Sequence, residues 1–175
     1  MKKLLVIGFS AALLLSACGE DTTSGATEKS PATDDAAKET GNAKQEMMRF
    51  YMSVPNTINA TDADLNAFEM AQTEGTLPEA EELQTMKDAA KASAEETSAA
   101  VEGIEIPETL EEQKTDIEAA LASIKESYDM KAEELTKEAS FEAANAKFQE
   151  ADEKFNALLE AQELNPSSIY NEVSQ

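Results

Sequence analysis

Residues 141–158 read FEAANAKFQEADEKFNAL and place an apolar residue at every third or fourth position. These positions are Phe141, Ala144, Phe148, Ala151, Phe155 and Leu158. Because the spacings alternate between three and four, all of these side chains lie on one face of an α-helix. A repeat that averages 3.5 residues favours helices that cross at about 20°, as in helical bundles. The stretch therefore predicts one helix of an all-α bundle, and Asn165-Pro166 predicts its end.

A second apolar seam precedes this helix. Its members are Leu110, Ile117, Leu121, Ile124, Tyr128 and Leu135. Pro107 predicts where the helix begins, because proline is favoured in the first helical turn. The seam loses phase between Leu135 and Phe141, which lie six residues apart, and Ser140 is a good N-cap residue. We therefore expect a break or a sharp bend at Ser140.

A third seam contains many small residues. Its members are Leu83, Met86, Ala90, Ala94, Thr97 and Val101. Small side chains on the apolar face predict close packing against a neighbouring helix. Pro78 lies near the predicted first turn, and Gly103 fits the C′ position after the last turn. Residues 104–107 are expected to form a short extended connector.

The first seam in the chain begins at about Ala43. Its members are Met47, Tyr51, Val54, Ile58, Leu65 and Phe68. Pro55 lies inside it and normally breaks or kinks a helix, yet the period stays in phase across it. We expect a helix that bends at Pro55 and continues, and the alternative is a second helix that begins near Asn56. Gly75 is expected to end this segment.

These four seams and their short connections predict an all-α fold. Consecutive helices joined by short connections are antiparallel neighbours, so we expect an antiparallel bundle of three to four long helices over residues 43–165. No segment shows the two-residue alternation of a half-buried strand. In the tail, residues 166–175, the apolar Ile169, Tyr170 and Val173 could fold back onto one end of the bundle.

The composition limits what this chain can do. With 14 basic and 36 acidic residues, its net charge is −22, which disfavours nucleic acid and favours cationic ligands or basic partners. The chain has no histidine, so it lacks the usual general base near neutral pH and the commonest transition-metal ligand. Its single cysteine excludes an internal disulfide. We predict a protein that is not an enzyme and has no cofactor.

Cys18 follows an export-type segment. Lys2 and Lys3 form its charged part, residues 4–15 form its apolar part, and Ser16 and Ala17 are the small residues before a cleavage point. Twelve residues span about 18 Å as a helix, which is less than the roughly 30 Å of a membrane's hydrocarbon core. The pattern therefore favours a signal peptide, residues 1–17, over a permanent transmembrane helix.

The tetrapeptide Leu15-Ser16-Ala17-Cys18 resembles the lipobox of bacterial lipoprotein precursors. The resemblance implies that the sulfur of Cys18 receives a diacylglyceryl group and that cleavage makes Cys18 the mature N-terminus. It implies a lipid-anchored protein on the extracytoplasmic face of a bacterial cell membrane. The lipobox also serves outer-membrane lipoproteins of two-membrane cells, so the type of cell stays open. The mature chain would keep 12 basic and 36 acidic residues, a net charge of −24.

Residues 18–42 are expected to form a lipidated, disordered acidic linker. After Cys18 this segment contains no apolar residue larger than alanine, so it cannot bury enough surface to offset its ordering entropy. A tether followed by a small acidic helical domain is similar to uncharacterised small lipoproteins of Gram-positive bacteria. The similarity is one of composition and carries no site residues with it.

Two groups of residues partly match known kinds of metal site. Asp62, Asp64 and Asn66 match three positions of an EF-hand loop, but Ala67 and Thr73 stand where glycine and glutamate are required. We interpret this stretch as a solvated acidic helix face. The thioethers of Met47, Met48 and Met52 would suit Cu(I), but core packing is the better explanation. We predict no metal site.

Charged residues at helical spacing are interpreted as solvated faces. The adjacent pairs are Glu81 and Glu82, Glu95 and Glu96, Glu111 and Glu112, and Glu133 and Glu134. Neighbours in sequence point about 100° apart on a helix, so such pairs do not converge on one ligand. Lys87 and Lys91 near Asp88 and Glu95, and Lys125 with Asp129, are expected to form helix-supporting pairs.

These observations favour a lipid-anchored helical bundle that acts as a non-enzymatic binding or accessory module at the cell envelope. Its expected partners are the membrane, through the lipid on Cys18, and an envelope protein or another basic surface. The alternative is a lipoprotein that binds a solute or a cation inside the bundle.

Overall fold

The computed structural model describes residues 34–174 of the chain, with side chains from residue 43 onward. This part of the chain is helical and contains no β-strand, which confirms the all-α prediction. Its helices are α1 Asp34–Asn59, α2 Ala63–Glu74, α3 Ala80–Glu102, α4 Lys114–Glu134, α5 Glu142–Ala161 and α6 Ile169–Val173, with a 3₁₀ helix over Glu108–Gln113. None of these helices combines the length and the apolar character needed to cross a membrane.

Hydrogen bonds and ion pairs show that α3, α4 and α5 are antiparallel neighbours. From α3 to α4 the bonded pairs are Lys87 with Lys137 just after α4, Ser98 with Asp129, and Glu102 with Lys125. From α4 to α5 they are Ser123 with Lys154, Glu126 with Lys147, and Ser127 with Ala144. Residue numbers rise on one helix as they fall on the other, and α4 is therefore the central helix of this antiparallel arrangement.

The core consists of the four apolar seams. All members of the seams on α1–α2, α4 and α5 are buried; on α3, Leu83 and Met86 are partly buried and the other members are buried. Aromatic rings connect the helices: the ring of Phe155 lies 5.7 Å from that of Tyr51, and Phe68 lies 6.1 Å from Phe141, both edge to face. The periodicity thus predicted the buried faces correctly.

The first helix begins earlier than the sequence indicated. We expected the bundle to start at about Ala43 after a disordered linker, but α1 begins at Asp34, so residues 34–42 are helical. This stretch contains Ala36, Ala37, Lys38 and Glu39, which favour helix by propensity even without an apolar seam. Extending a helix that packing has already nucleated is far easier than starting one.

The helix continues through Pro55, as expected, but the prediction that it continues to Gly75 is wrong, because a break separates α1 from α2. Pro55 is buried inside α1, and the alternative of a new helix near Asn56 is wrong. The chain turns after Asn59 instead, and the amides of Thr61 and Asp62 both donate to the carbonyl of Ile58. Ile58 and Leu65 lie seven residues apart, which equals two turns of a helix. The apolar spacing therefore stays in phase and does not reveal the break between α1 and α2.

The connections between the helices lie where the sequence predicted them, but some of the residues and backbone conformations at the helix ends differ from the prediction. Gly75 ends α2 with φ +68°, the left-handed conformation that favours glycine, whereas Gly103 after α3 is right-handed rather than a left-handed C′ cap. The 3₁₀ helix separates Pro107 from α4. The predicted break between α4 and α5 is confirmed, but Phe141, not Ser140, occupies the N-cap position.

Candidate functional site

Small polar residues of α3 hold the turn between α1 and α2. The hydroxyl of Ser93 donates to the carbonyl of Thr61 at 2.7 Å and accepts the amide of Leu65 at 3.4 Å. The hydroxyls of Thr97 and Thr61 lie 2.8 Å apart. Thr97 belongs to the seam predicted to pack closely, whereas Ser93, which bonds the backbone of the turn, was not part of that prediction.

Asp62 is buried at this turn, with 1% of its surface exposed. The hydroxyl of Tyr128 donates to its Oδ2 at 3.3 Å. Burial raises the pKa of the Asp62 carboxyl, while hydrogen bonds and the nearby charge of Lys131 oppose that rise. Burial also raises the pKa of Tyr128, and the charge of Asp62 adds to that effect. Asp62 therefore has a desolvated position in the core.

Lys131 of α4 forms a buried ion pair with Glu69 of α2. Its Nζ donates to Glu69 Oε1 at 2.7 Å, and the side chains are 5% and 20% exposed. The same Nζ lies 5.6 Å from the ring centre of Tyr128 and 5.8 Å from that of Phe141. The pair connects α2 to the centre of the bundle.

Asp152 of α5 holds the C-terminal helix in place. Its carboxylate accepts the hydroxyl of Ser168 at 2.6 Å and the amides of Ile169 and Tyr170 at 2.9 and 3.4 Å. Burial raises the pKa of the Asp152 carboxyl, although these hydrogen bonds favour its charged form. Ile169 and Val173 are buried, so the expected return of the tail to the bundle is confirmed.

A polar cleft opens at the surface between α2, the first turn of α5 and the C-terminal segment. We name it the α2–α6 pocket; its volume is about 370 Å³. It is lined by Asn66, Glu69, Met70, Thr73, Glu74, Asn145, Tyr170 and Ser174. The amide oxygen of Asn145 is buried and accepts no hydrogen bond from the part of the chain that the structure describes. A buried acceptor without a partner costs about 1–3 kcal/mol.

A second concavity lies where α3 passes into α4. We name it the acidic-rimmed groove; its volume is about 510 Å³. Its apolar floor comprises Val101, Ile104, Ile106, Leu121 and Ala122, and its charged rim comprises Glu102, Glu105, Glu118, Lys114 and Lys125.

Both lysines of this rim are paired within the protein. Lys125 contacts Asp129 at 2.9 Å and Glu102 at 3.8 Å, and the hydrogen bond to Asp129 is the main reason that the pKa of Lys125 is raised. Lys114 lies 3.5 Å from Glu111. Glu105 and Glu118 form no ion pair with any residue in 43–174. The unpaired charge on the rim is therefore negative.

The residues that resemble an EF-hand do not converge. Asp62 faces the core, Asp64 is exposed, and the amide of Asn66 donates to the carbonyl of Val173 at 2.9 Å. The interpretation of this stretch as a solvated helix face is wrong for Asp62. Nowhere in residues 43–174 do three or more acidic, cysteine or histidine side chains form a cluster that could hold a metal ion.

Core packing explains one of the three methionines, and the glutamate pairs are solvated as predicted with one exception. Met47 is fully buried, as core packing predicted, but Met48 and Met52 are 38% and 48% exposed and lie outside the core. Of the glutamate pairs, every member is exposed except Glu134, which is half-buried.

Most of the expected lysine pairs form. Lys91 pairs with Glu95, and Lys125 pairs with Asp129, as predicted. Lys87 is an exception, since its Nζ donates to the carbonyl of Lys137 at 2.8 Å rather than to an acid four residues away.

The predicted lipidation site lies outside the described residues. This holds for Cys18 and for Leu15, Ser16 and Ala17, and the anchor therefore stays a prediction from sequence.

The comparisons with known proteins identify no relative. No protein-family model matches the chain, and neither a curated protein nor a solved structure matches it.

Proposed function

We propose that this protein is a lipid-anchored, non-enzymatic binding module on the extracytoplasmic face of a bacterial cell membrane. Cys18 carries the lipid, and the helical domain binds a basic segment with apolar side chains, presented by an envelope protein, in the acidic-rimmed groove. The observation that carries the proposal is the groove's combination of an apolar floor with unpaired glutamates at its rim.

The charges of the groove select the partner. Apolar side chains of a bound segment would cover Ile104, Ile106 and Leu121, while its lysines or arginines would face Glu105 and Glu118. The net charge of −24 on the mature chain attracts basic surfaces over a longer range and raises the rate of encounter. Anionic headgroups are repelled by the same charge, so the lipid is the sole attachment to the membrane.

The lipobox pattern supports the anchor. Fifteen residues, 19–33, separate Cys18 from the start of α1, and a chain of this length reaches about 50 Å at most. This reach is enough for the domain to meet a partner near the membrane surface.

A second candidate function is the binding of a small solute. The α2–α6 pocket favours it, because it combines a ligand-sized volume with a mostly polar lining. This pocket lies at the surface and not between the long helices, where the alternative prediction placed a site.

The anchor is tested by Cys18→Ala. We expect this variant to lose incorporation of labelled fatty acid and to be released or retained as an uncleaved precursor. A variant that stayed lipid-labelled and membrane-bound to the wild-type extent would overturn the lipobox assignment.

The groove is tested by site-specific photocrosslinking of the full chain in its native envelope. A photoreactive residue at Ala122, in the groove, should crosslink to one protein through a segment rich in lysine or arginine. The matched control is Ala92, an exposed alanine of α3 about 13 Å along the helix from the groove. Glu105→Gln with Glu118→Gln should reduce the adduct severalfold. Equal adducts from Ala92, or an adduct insensitive to the double substitution, would contradict the proposal.

A further inference from the structure

Another concavity lies between the first half of α4 and the second half of α5. We name it the α4–α5 cleft; its volume is about 330 Å³. It is lined by Asp116, Ala119, Lys154, Ala157, Leu158 and Ala161. Most of these side chains are apolar, and the charges of Asp116 and Lys154 offset each other. The cleft therefore offers apolar surface without a net charge.

The cleft and the acidic-rimmed groove meet on the exposed side of α4. Ala119 lines the cleft and Ala122 lines the groove, and both alanines are exposed. Residues three positions apart are neighbours on the surface of a helix, with about 5–6 Å between their Cβ atoms. Only methyl groups therefore stand between the two concavities at this point, and one bound segment can enter both.

The alanines leave enough room for a helix to cross α4. On the side of α4 opposite buried Ile117, the larger exposed side chains nearest to the alanines are Thr115 and Glu126. These two residues are eleven positions apart, which is about 16 Å along the helix axis. A helix with its side chains is about 10–12 Å across. It therefore fits between Thr115 and Glu126 with its backbone close to the two alanines.

The backbone of the bound segment favours a helix over an extended chain. The part of the chain that the structure describes has no strand whose edge could pair with an extended segment. An extended segment pressed onto the apolar floor would leave buried backbone groups without partners, whereas a helix satisfies these groups internally. Helices dock in apolar grooves through side chains that recur on one face.

The spacing of the concavities fits two such side chains. Packed helices lie about 8–10 Å apart, and residues seven positions apart on a helix lie about 10 Å apart on the same face. One apolar side chain can therefore reach Ile104 and Leu121 in the groove while another, seven positions away, reaches Leu158 in the cleft.

The charges give the segment a direction. The unpaired Glu105 and Glu118 lie at the groove, whereas the cleft has no net charge and contains Lys154. Lysines or arginines of the partner are therefore favoured beside the side chain that enters the groove, and they are repelled from the end that enters the cleft.

We propose that the segment bound in the acidic-rimmed groove is an amphipathic α-helix of an envelope protein, and that it crosses α4 over Ala119 and Ala122 into the α4–α5 cleft. Its apolar anchors lie seven positions apart, and its basic residues lie near the anchor in the groove. This inference rests on the proposed function and adds the conformation and the course of the partner.

The experiment places a photoreactive residue at Ala157, in the cleft, and compares it with Ala122 in the full chain in its native envelope. Both adducts should map to one segment of one protein, at points about seven residues apart, with lysine or arginine nearer to the Ala122 adduct. The matched control is Ala146, an exposed alanine eleven residues before Ala157. It lies on the same side of α5, about 16 Å away, and should give no adduct with this segment.

The outcomes separate this inference from the proposed function. An adduct from Ala122 without one from Ala157 would overturn the inference and leave the proposed function standing. Attachment points only about three residues apart would indicate an extended segment and would overturn the helix. Absence of both adducts would contradict the proposed function as well.

A bulky residue in the cleft provides a second test. Ala119→Phe fills the cleft beside α4 and should reduce the Ala122 adduct at least fivefold, while circular dichroism shows an unchanged helical content. Ala146→Phe adds the same bulk at an exposed position outside the cleft and should leave the adduct unchanged. An Ala122 adduct that Ala119→Phe did not reduce would mean that the segment stays within the groove, which would overturn the crossing.

Discussion

The buried ion pair between Glu69 and Lys131 makes a quantitative prediction about stability. Lys131 is almost completely enclosed, whereas Glu69 keeps a fifth of its side chain in contact with water. Removing the charge of Glu69 therefore leaves a buried ammonium without its counterion, and removing Lys131 leaves a carboxylate that water still reaches. The two substitutions, Glu69→Gln and Lys131→Met, should have unequal effects.

The magnitudes follow from the burial of each partner. Breaking a buried pair by removing one partner costs about 3–5 kcal/mol. We expect Glu69→Gln to lose about 3 kcal/mol, at the lower end, because Lys131 keeps its contacts with two aromatic rings. Lys131→Met should lose about 1 kcal/mol, since the remaining charge is partly solvated. The double variant should lie within about 1 kcal/mol of the wild type, because replacing both charges removes the desolvation penalty.

The assay is urea unfolding of the full chain at neutral pH, followed by circular dichroism, for the wild type, both single variants and the double variant. The expected coupling energy between positions 69 and 131 is about 4 kcal/mol, because the single losses of about 3 and about 1 kcal/mol are nearly absent from the double variant. Lys91 and Glu95 form the control cycle, because their side chains are 36% and 57% exposed. Exposed pairs of this kind contribute about 0.3–0.5 kcal/mol.

One result would refute this reasoning. If positions 69 and 131 showed no more coupling than the exposed control cycle, the pair would be solvated in the folded protein. Lys131 would then have to lie at the surface rather than in the bundle.

Two further predictions concern buried carboxylates. Burial raises the pKa of Asp62 in the folded protein, so the folded state binds more protons than the unfolded state, and the resulting stability is lost as the pH rises through the folded pKa. Relative to Asp62→Asn, the wild type should therefore lose stability as the pH rises above about 4, the ordinary pKa of an aspartate, as measured by urea unfolding at several pH values. Asp152→Ala removes the acceptor for three groups of the C-terminal segment and should cost about 1–3 kcal/mol and expose this segment to proteolysis.

Each of these two predictions has a clear contrary outcome. A difference between the wild type and Asp62→Asn that did not change with pH would mean that Asp62 titrates normally. Proteolysis of Asp152→Ala at the wild-type rate would mean that the packing of Ile169 and Val173 alone holds the segment. Exposed Asp64 and Asp116 provide control positions for the two experiments.

Asp62 and Lys131 show which features of a buried charged residue the apolar pattern can predict. The apolar seams skip a turn at three places: between Ile58 and Leu65, between Leu110 and Ile117, and between Tyr128 and Leu135. Asp62 and Lys131 occupy two of the skipped positions, and both are buried. The third skipped turn holds Lys114, whose side chain is 45% exposed, so a charged residue at a seam position was only a partial signal for a buried polar group. The sequence did not say which residue would become its partner, because Tyr128 and Glu69 are separated from Asp62 and Lys131 by more than sixty positions.

The concave surfaces could not be predicted in the same way. The groove depends on how the connector at Ile104 and Ile106 lies against Leu121 of the next helix. The α2–α6 pocket depends on the return of the tail, which Asp152 directs. Periodicity reports which face of a helix is apolar, but it carries no information about the angle at which two segments meet.

The sequence by itself determined the all-α class, the buried faces of the helices and most of their ends, because these depend on local spacing, propensity and glycine or proline. It also supplied the charge and the lipobox pattern on which the proposed anchor rests. Tertiary structure alone decided that α1 ends after Asn59 rather than continuing into α2, and that Asp62 and Lys131 are desolvated. It also left the amide oxygen of Asn145 without a partner among the described residues. These features arise where elements distant in sequence pack together, since burial and hydrogen bonding there depend on atoms that local sequence does not specify.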